Sequence, residues 1–164
     1  VRDARINLIY EGTNTIQSLD LLGRKVLGNQ GATLKKFGKR IADLVAAETD
    51  NEDMAVFLQP LAKLGQQMTA FTGEIGMKAM SNADEVGAAA VPYMRVVGHL
   101  VFSWFFARMA KLALEKQDSG DHFYQAKLAV ARFYFARLLP ETAMLIRQAR
   151  SGSDNLMALE ADLF

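Results

Sequence analysis

Apolar residues recur at spacings of three and four along nearly the whole chain, and strict alternation is nowhere sustained. That is helical periodicity. The clearest run is Phe57, Leu61, Leu64, Met68, Phe71 and Ile75, which predicts one apolar seam along a bundle helix over 52–80. Residues 1–8 read as the end of a helix, and 9–13 as a short loop. Ile16, Leu19, Leu22 and Val26 then share a face of the next helix. Asn14 is placed to cap it, Gln17 takes the reciprocal capping-box position, and it stops near Gly28-Asn29. Leu34, Phe37, Ile41 and Leu44 stripe a helix over 32–47. Val97, Val101, Trp104 and Phe105 mark the apolar side of another over 84–117. A last long helix spans 123–150 and ends at Gly152, leaving a tail over 153–164 with room for one short helix.

Breaks fall where the pattern demands them, at 49–51, 81–84 and 118–121. Of the three prolines, Pro60 is expected to kink its helix or mark its first turn, Pro92 lies within a helix, and Pro140 is expected to kink the last one. Gly65, Gly73 and Gly76 weaken a helix and so predict close helix contacts. Long helices joined by short turns pack antiparallel. The expected fold is all-α: an up-and-down four-helix bundle over 32–150, preceded by a loop and one additional helix.

Composition narrows the function. With 51% hydrophobic and 23% charged residues, the chain has apolar surface enough for a packed core, and an ordered globular chain is expected. A net charge of +1 makes no electrostatic case for nucleic acid or an anionic membrane. The absence of cysteine excludes disulfides, thiolate metal sites and cysteine nucleophiles, and suits an intracellular setting. His99 and His122 form no metal-ligand pair. The stretch 86–114 is the most apolar. Arg95, His99, Arg108 and Lys111 interrupt it, so it reads as a buried helix with a wet side and not as a membrane span. No signal peptide is visible, and the opening residues read as the interior of a longer protein.

One segment carries chemistry. Arg2-Asp3-Ala4-Arg5-Ile6 leads into Ile9-Tyr10-Glu11-Gly12-Thr13-Asn14-Thr15-Ile16-Gln17, and the helix continues to Leu21-Leu22-Gly23-Arg24-Lys25. This resembles the signature near the C-terminus of the acyl-CoA dehydrogenases. The remainder resembles the extra helical domain of the large bacterial members, a group that includes enzymes acting on 3-methylmercaptopropionyl-CoA. The resemblance implies residues 1–29 as the end of the helical core with the catalytic-base loop, and 30–164 as a C-terminal helical-bundle extension. It implies FAD as cofactor, an acyl-CoA thioester as substrate and a trans-2-enoyl-CoA as product. Glu11 takes the position of the base, Gly12 lies against the substrate, and Thr13, Asn14 and Thr15 approach FAD; no metal is implied. Further implied partners are an electron-transferring flavoprotein, the protein's own upstream domains and further copies in a homo-oligomer, in the cytoplasm.

The loop's physics agrees. A base must sit within hydrogen-bonding reach of its proton, and a short loop beside Gly12 presents a carboxylate that way. Removing an α-proton creates enolate character, which needs donors aimed at the carbonyl oxygen. Free N–H groups at Asn14 to Gln17 make a positive helix end suited to electron-rich parts of a flavin nucleotide. That end favours ionised Glu11, whereas an apolar acyl chain raises its pKa; the sequence leaves the balance open.

The remaining candidates have plainer readings. Arg2 and Arg5 read as surface arginines or as supports of the loop. His99 reads as a satisfied core histidine and His122 as part of a solvated turn. Trp104, Phe105, Phe106, Phe133, Tyr134 and Phe135 read as core or a packing interface. Lys35, Lys36, Lys39 and Arg40 form a basic cluster, foremost a solvated helix face and secondarily a contact for a CoA phosphate. No Gly-rich phosphate loop is present, and the upstream regions that would hold FAD lie outside this sequence, so the 164 residues alone are expected to be inactive. The alternative function is a structural or oligomerisation bundle without catalysis of its own.

Overall fold

The computed structural model describes residues 3–8, 10 and 12–163. All the regular structure among them is helical. A 3₁₀ segment over Asp3–Leu8 precedes α1, Asn14–Leu19, which runs on as a π-helical turn over Asp20–Val26. Then follow α2, Ala32–Ala47; α3, Ala55–Ser81, introduced by a 3₁₀ turn at Glu52–Met54; and α4, Asp84–Glu115. The fourth bundle member is split. It comprises α5, His122–Phe133, a π-helical turn at Tyr134–Leu138, and α6, Glu141–Arg150. A short α7, Asp154–Met157, lies in the tail.

The expected bundle forms, and its hand-offs are visible in side-chain pairs. Ile41 of α2 lies beside Gly65 of α3, while Leu27, before α2, reaches Gly76 near the other end of α3. Those two helices are therefore antiparallel. At one end of the bundle Phe57 of α3 meets Phe135 edge-on at 5.4 Å. At the other, Arg150 of α6 forks onto Glu74 of α3 at 2.7 and 2.8 Å. The split fourth member thus runs parallel to α3, with α4 antiparallel between them.

The α3 seam is buried throughout, from Phe57 to Ile75. Each such side chain contributes about 1.5–3 kcal/mol by leaving water. On α4 the core face is Ala89, Tyr93, Val96, Leu100, Ser103, Ala107 and Ala110, where the alanines and the serine let neighbouring helices pack closely. Tyr93 keeps its hydroxyl satisfied at 2.8 Å from the Thr72 hydroxyl.

Several expectations need correction. Thr13, not Asn14, takes the N-cap position of α1, and its side chain makes no cap bond, so Asn14 is the first helical residue and Gln17 falls outside a capping box. Only Leu22 and Val26 of the first stripe are buried, whereas Ile16 and Leu19 are exposed. Phe105, expected on the apolar side of α4, points outward. α3 starts before Pro60 and continues through it. Pro140 does more than kink the last helix. It has no N–H and crowds the carbonyl four residues back, so the turn before it widens until Leu139 N–H donates to Tyr134 O, five back, at 3.0 Å. Close contacts hold at Gly65 and Gly76, but a Cβ at Gly73 would meet nothing within 4 Å.

The interrupting polar groups of α4 all have partners, on flanking elements or, for Arg108, on α4 itself. Arg95 pairs with Glu141, His99 Nδ1 lies 2.9 Å from the Tyr134 hydroxyl, Arg108 stacks on Trp104 and Lys111 pairs with Glu48. His99 is thus the satisfied histidine expected. α4 is long and apolar enough to span a bilayer by length and composition, and 39% of its most apolar window is buried inside the bundle.

Candidate functional site

The signature segment stands at one edge of the bundle. Leu22 and Val26 anchor its helix in the core, and a Cβ on Gly23 would lie 3.7 Å from Val86 Cγ1, so α1 and its π-helical turn sit against the start of α4. The buried Ser18 donates to Thr15 O at 2.7 Å and Gln17 N–H to Thr13 O at 2.9 Å, which closes the first turn. Asp20 ties the turn off by accepting from Lys25 at 2.8 Å and Arg24 at 2.5 Å. Lys25 foremost holds the Asp20 carboxyl below its ordinary range.

Ahead of Ser18, residues 3–7, 10 and 12–17 are all exposed. Tyr10, Gly12, Thr13, Asn14 and Thr15 face outward together, as does Ile16. The first turn of α1 carries no acidic side chain. Glu11, the sequence's choice for the base, and Arg2 lie outside the described residues. The structure therefore brings Gly12, Thr13, Asn14 and Thr15 together on one exposed ledge and is silent on the carboxylate between Tyr10 and Gly12.

Elsewhere, α2 and α3 enclose a groove of about 780 Å³. Its walls carry Gly38, Ala42, Gly65 and Gly73, with Lys35 as the charged residue at its side, and among the described residues neither Tyr10 nor any of Gly12 to Thr15 lines it. The basic cluster is exposed, and Lys39 is taken by Asp43 at 2.7 Å. A smaller cavity of about 510 Å³ does adjoin the signature helix, between Leu19, Val86, Gly87, Leu156 and Met157.

Sequence reasoning missed what holds that cavity's far wall. Glu85 accepts from Ser153 N–H at 2.9 Å and from its hydroxyl at 2.8 Å, and Asn82 Nδ2 donates to the same hydroxyl at 3.0 Å. Lys78 stands 3.7 Å from the carboxylate. The Ser153 backbone N–H, first, and its hydroxyl hold Glu85 below its ordinary value. Gly152, with φ of +78°, makes the turn that delivers Ser153 there. Only that glycine was legible beforehand.

Known proteins place the chain in a class. Residues 37–160 match the family described as acetyl-CoA dehydrogenase C-terminal like, and the chain belongs to that family. It is 33% identical over 162 residues to the 3-methylmercaptopropionyl-CoA dehydrogenase of Ruegeria pomeroyi, covering 95% of this chain and 27% of that protein. It is 27% identical over 175 residues to a broad-specificity linear acyl-CoA dehydrogenase of Mycobacterium tuberculosis, covering all of this chain and 29% of that one. A butyryl-CoA dehydrogenase of Syntrophomonas wolfei is 30% identical over 149 residues, covering 85% of this chain and 24% of that enzyme. The chain thus spans less than a third of the length of these relatives.

Proposed function

We propose that this chain is the C-terminal part of an FAD-dependent acyl-CoA dehydrogenase that converts an acyl-CoA thioester to the trans-2-enoyl-CoA. The observation that carries the reading is the contiguous sequence run from Tyr10 to Gln17, of which Gly12 to Thr15 stand on an exposed ledge, at the head of a chain whose bundle matches the dehydrogenase C-terminal family. In this reading the Glu11 carboxylate takes the proton from the carbon beside the thioester carbonyl. Gly12 leaves room for the substrate, and the backbone N–H of residue 11 helps polarise the carbonyl as enolate character develops.

The described residues fit FAD at one edge. Thr13, Asn14 and Thr15 are exposed, no carboxylate stands in the first turn of α1, and the Thr13 hydroxyl is not spent on the cap. These residues would meet the cofactor there, and FAD when bound supplies the hydride acceptor. The rest of the cofactor site and the acyl pocket belong to upstream domains of the same protein. The 164 residues alone accordingly hold no stoichiometric flavin and turn over no acyl-CoA. The division at residue 29, a homo-oligomeric full-length enzyme, an electron-transferring flavoprotein as acceptor and a cytoplasmic setting complete the proposal.

The deciding experiment uses the full-length protein. Its oxidised flavin band is followed while acyl-CoAs are added, beside Glu11→Gln. Wild type bleaches, and the variant keeps flavin but bleaches about 10²–10⁴-fold more slowly. If neither protein holds flavin or bleaches with any thioester, the bundle is a structural or assembly module and the signature has lost its chemistry.

A further inference from the structure

The outward face of α4 carries four bare apolar side chains, with the exposed Arg95, which Glu141 engages, and the exposed Arg108 standing among them. Val91, Phe102, Phe105 and Leu112 recur along it at helical spacing and are 40, 57, 54 and 48% exposed. Gly98 lies on the same face, where a Cβ would meet nothing within 4 Å. The opposite face fills the core, so α4 carries apolar side chains on both its inward and its outward side over a length of about 48 Å. Aromatic and aliphatic side chains left bare along one helix mark a surface that takes a partner. Within this chain only the inward side of α4 is covered.

The bare stripe does not stop at α4. At its start Gly87 shares a cavity with Leu19 of α1, and Ile16, one turn earlier, is 67% exposed. The track therefore leads from α4 back to the signature segment, through which this chain joins whatever precedes it in a longer protein. The match to the Mycobacterium tuberculosis relative covers 29% of that enzyme, which leaves about seven-tenths of its length outside. At the far end of the stripe Arg108 rests on Trp104 and Lys127 on Phe123, and neither forms an ion pair among the described residues. A surface that offers carboxylates there complements both.

We propose that the stripe from Ile16 and Leu19 through Phe102, Phe105 and Leu112 is the seat of the upstream part of the same polypeptide. The occupant is an apolar surface with carboxylates opposite Arg108 and Lys127. Tethering through the signature segment keeps it at high effective concentration. The inference rests on the reading of this chain as part of a longer dehydrogenase.

Thiol accessibility in the full-length enzyme tests it. This chain has no cysteine, so F105C places a single thiol in it on the stripe, and K36C places one on the exposed side of α2. In the native enzyme F105C reacts with a maleimide at least about tenfold more slowly than K36C, the two rates converge in denaturant, and protection survives dilution. Equal native rates in an enzyme that holds flavin and bleaches with acyl-CoA overturn the docking and leave the dehydrogenase reading standing. Protection lost on dilution assigns the stripe to a second copy and also overturns it. A protected thiol in a protein without flavin removes the dehydrogenase reading and supports the docking. L112C, read the same way, serves if F105C does not fold.

Discussion

Glu85 and Ser153 hold two ends of the chain's helical region together. One carboxylate oxygen, in the first turn of α4, accepts both the backbone N–H and the hydroxyl of a residue 68 positions later. The tail turns there and runs toward α1, with Leu156 and Met157 across a cavity from Leu19. Replacing Glu85 by Ala removes both hydrogen bonds at once. Amides over 153–157 are expected to exchange at least about tenfold faster, while those of the α3 seam stay protected. Unchanged exchange in the tail would show that packing alone holds it.

Two glycines give opposite expectations for the same substitution. Gly73 lies inside α3 with open space where a Cβ would go, so Gly73→Ala is expected to stabilise by up to about 1 kcal/mol through helix propensity. Gly152 has φ of +78°, and its Cβ would stand 3.1 Å from the Glu85 carboxylate. Gly152→Ala is expected to cost about 1 kcal/mol or more and to loosen the tail. Urea midpoints of the two variants check both signs.

The contrast marks what periodicity can tell. Leu61, Leu64 and Met68 were legible because a seam of fixed spacing has one way to be buried, and α2 was legible to its ends. Ile16, Leu19 and Phe105 carry the same pattern and lie exposed, because spacing says that a face needs cover and not who supplies it. The Glu85–Ser153 pair spans the bundle and leaves no local trace apart from Gly152. At Asn14, the preference of the residue type for caps lost to a helix that starts one residue earlier. The ledge of Gly12 to Thr15 was read from residue identity, and the structure adds its exposure.

Core and stripe should respond oppositely to truncation. Leu61 is fully buried on α3, and Leu61→Ala is expected to cost about 2–5 kcal/mol. Phe105 lies outward on α4. Phe105→Ser in this chain is expected to stay within about 0.5 kcal/mol of wild type and to reduce self-association. A loss at Phe105 as large as that at Leu61 would mean that the stripe is already covered within the chain.

Burial first, and the Arg95 guanidinium second, hold the His99 imidazole below the ordinary histidine value of 6.5. The Glu141 carboxylate, 3.5 Å from Nε2, does not reverse this because Arg95 already engages it. Around that pH the unfolded chain binds more protons at this position than the native one, so stability rises with pH across it. Well above 6.5 both states are neutral at His99 and its contribution is complete. As pH falls through 6.5 the unfolded chain is protonated first, and stability declines until the native ring is protonated too. The urea midpoint is therefore expected to drop as pH falls from about 7.5 through 6.5 in wild type. His99→Gln, which keeps a polar side chain facing the Tyr134 hydroxyl, should flatten that slope. A slope as steep in the variant would assign the effect to another group.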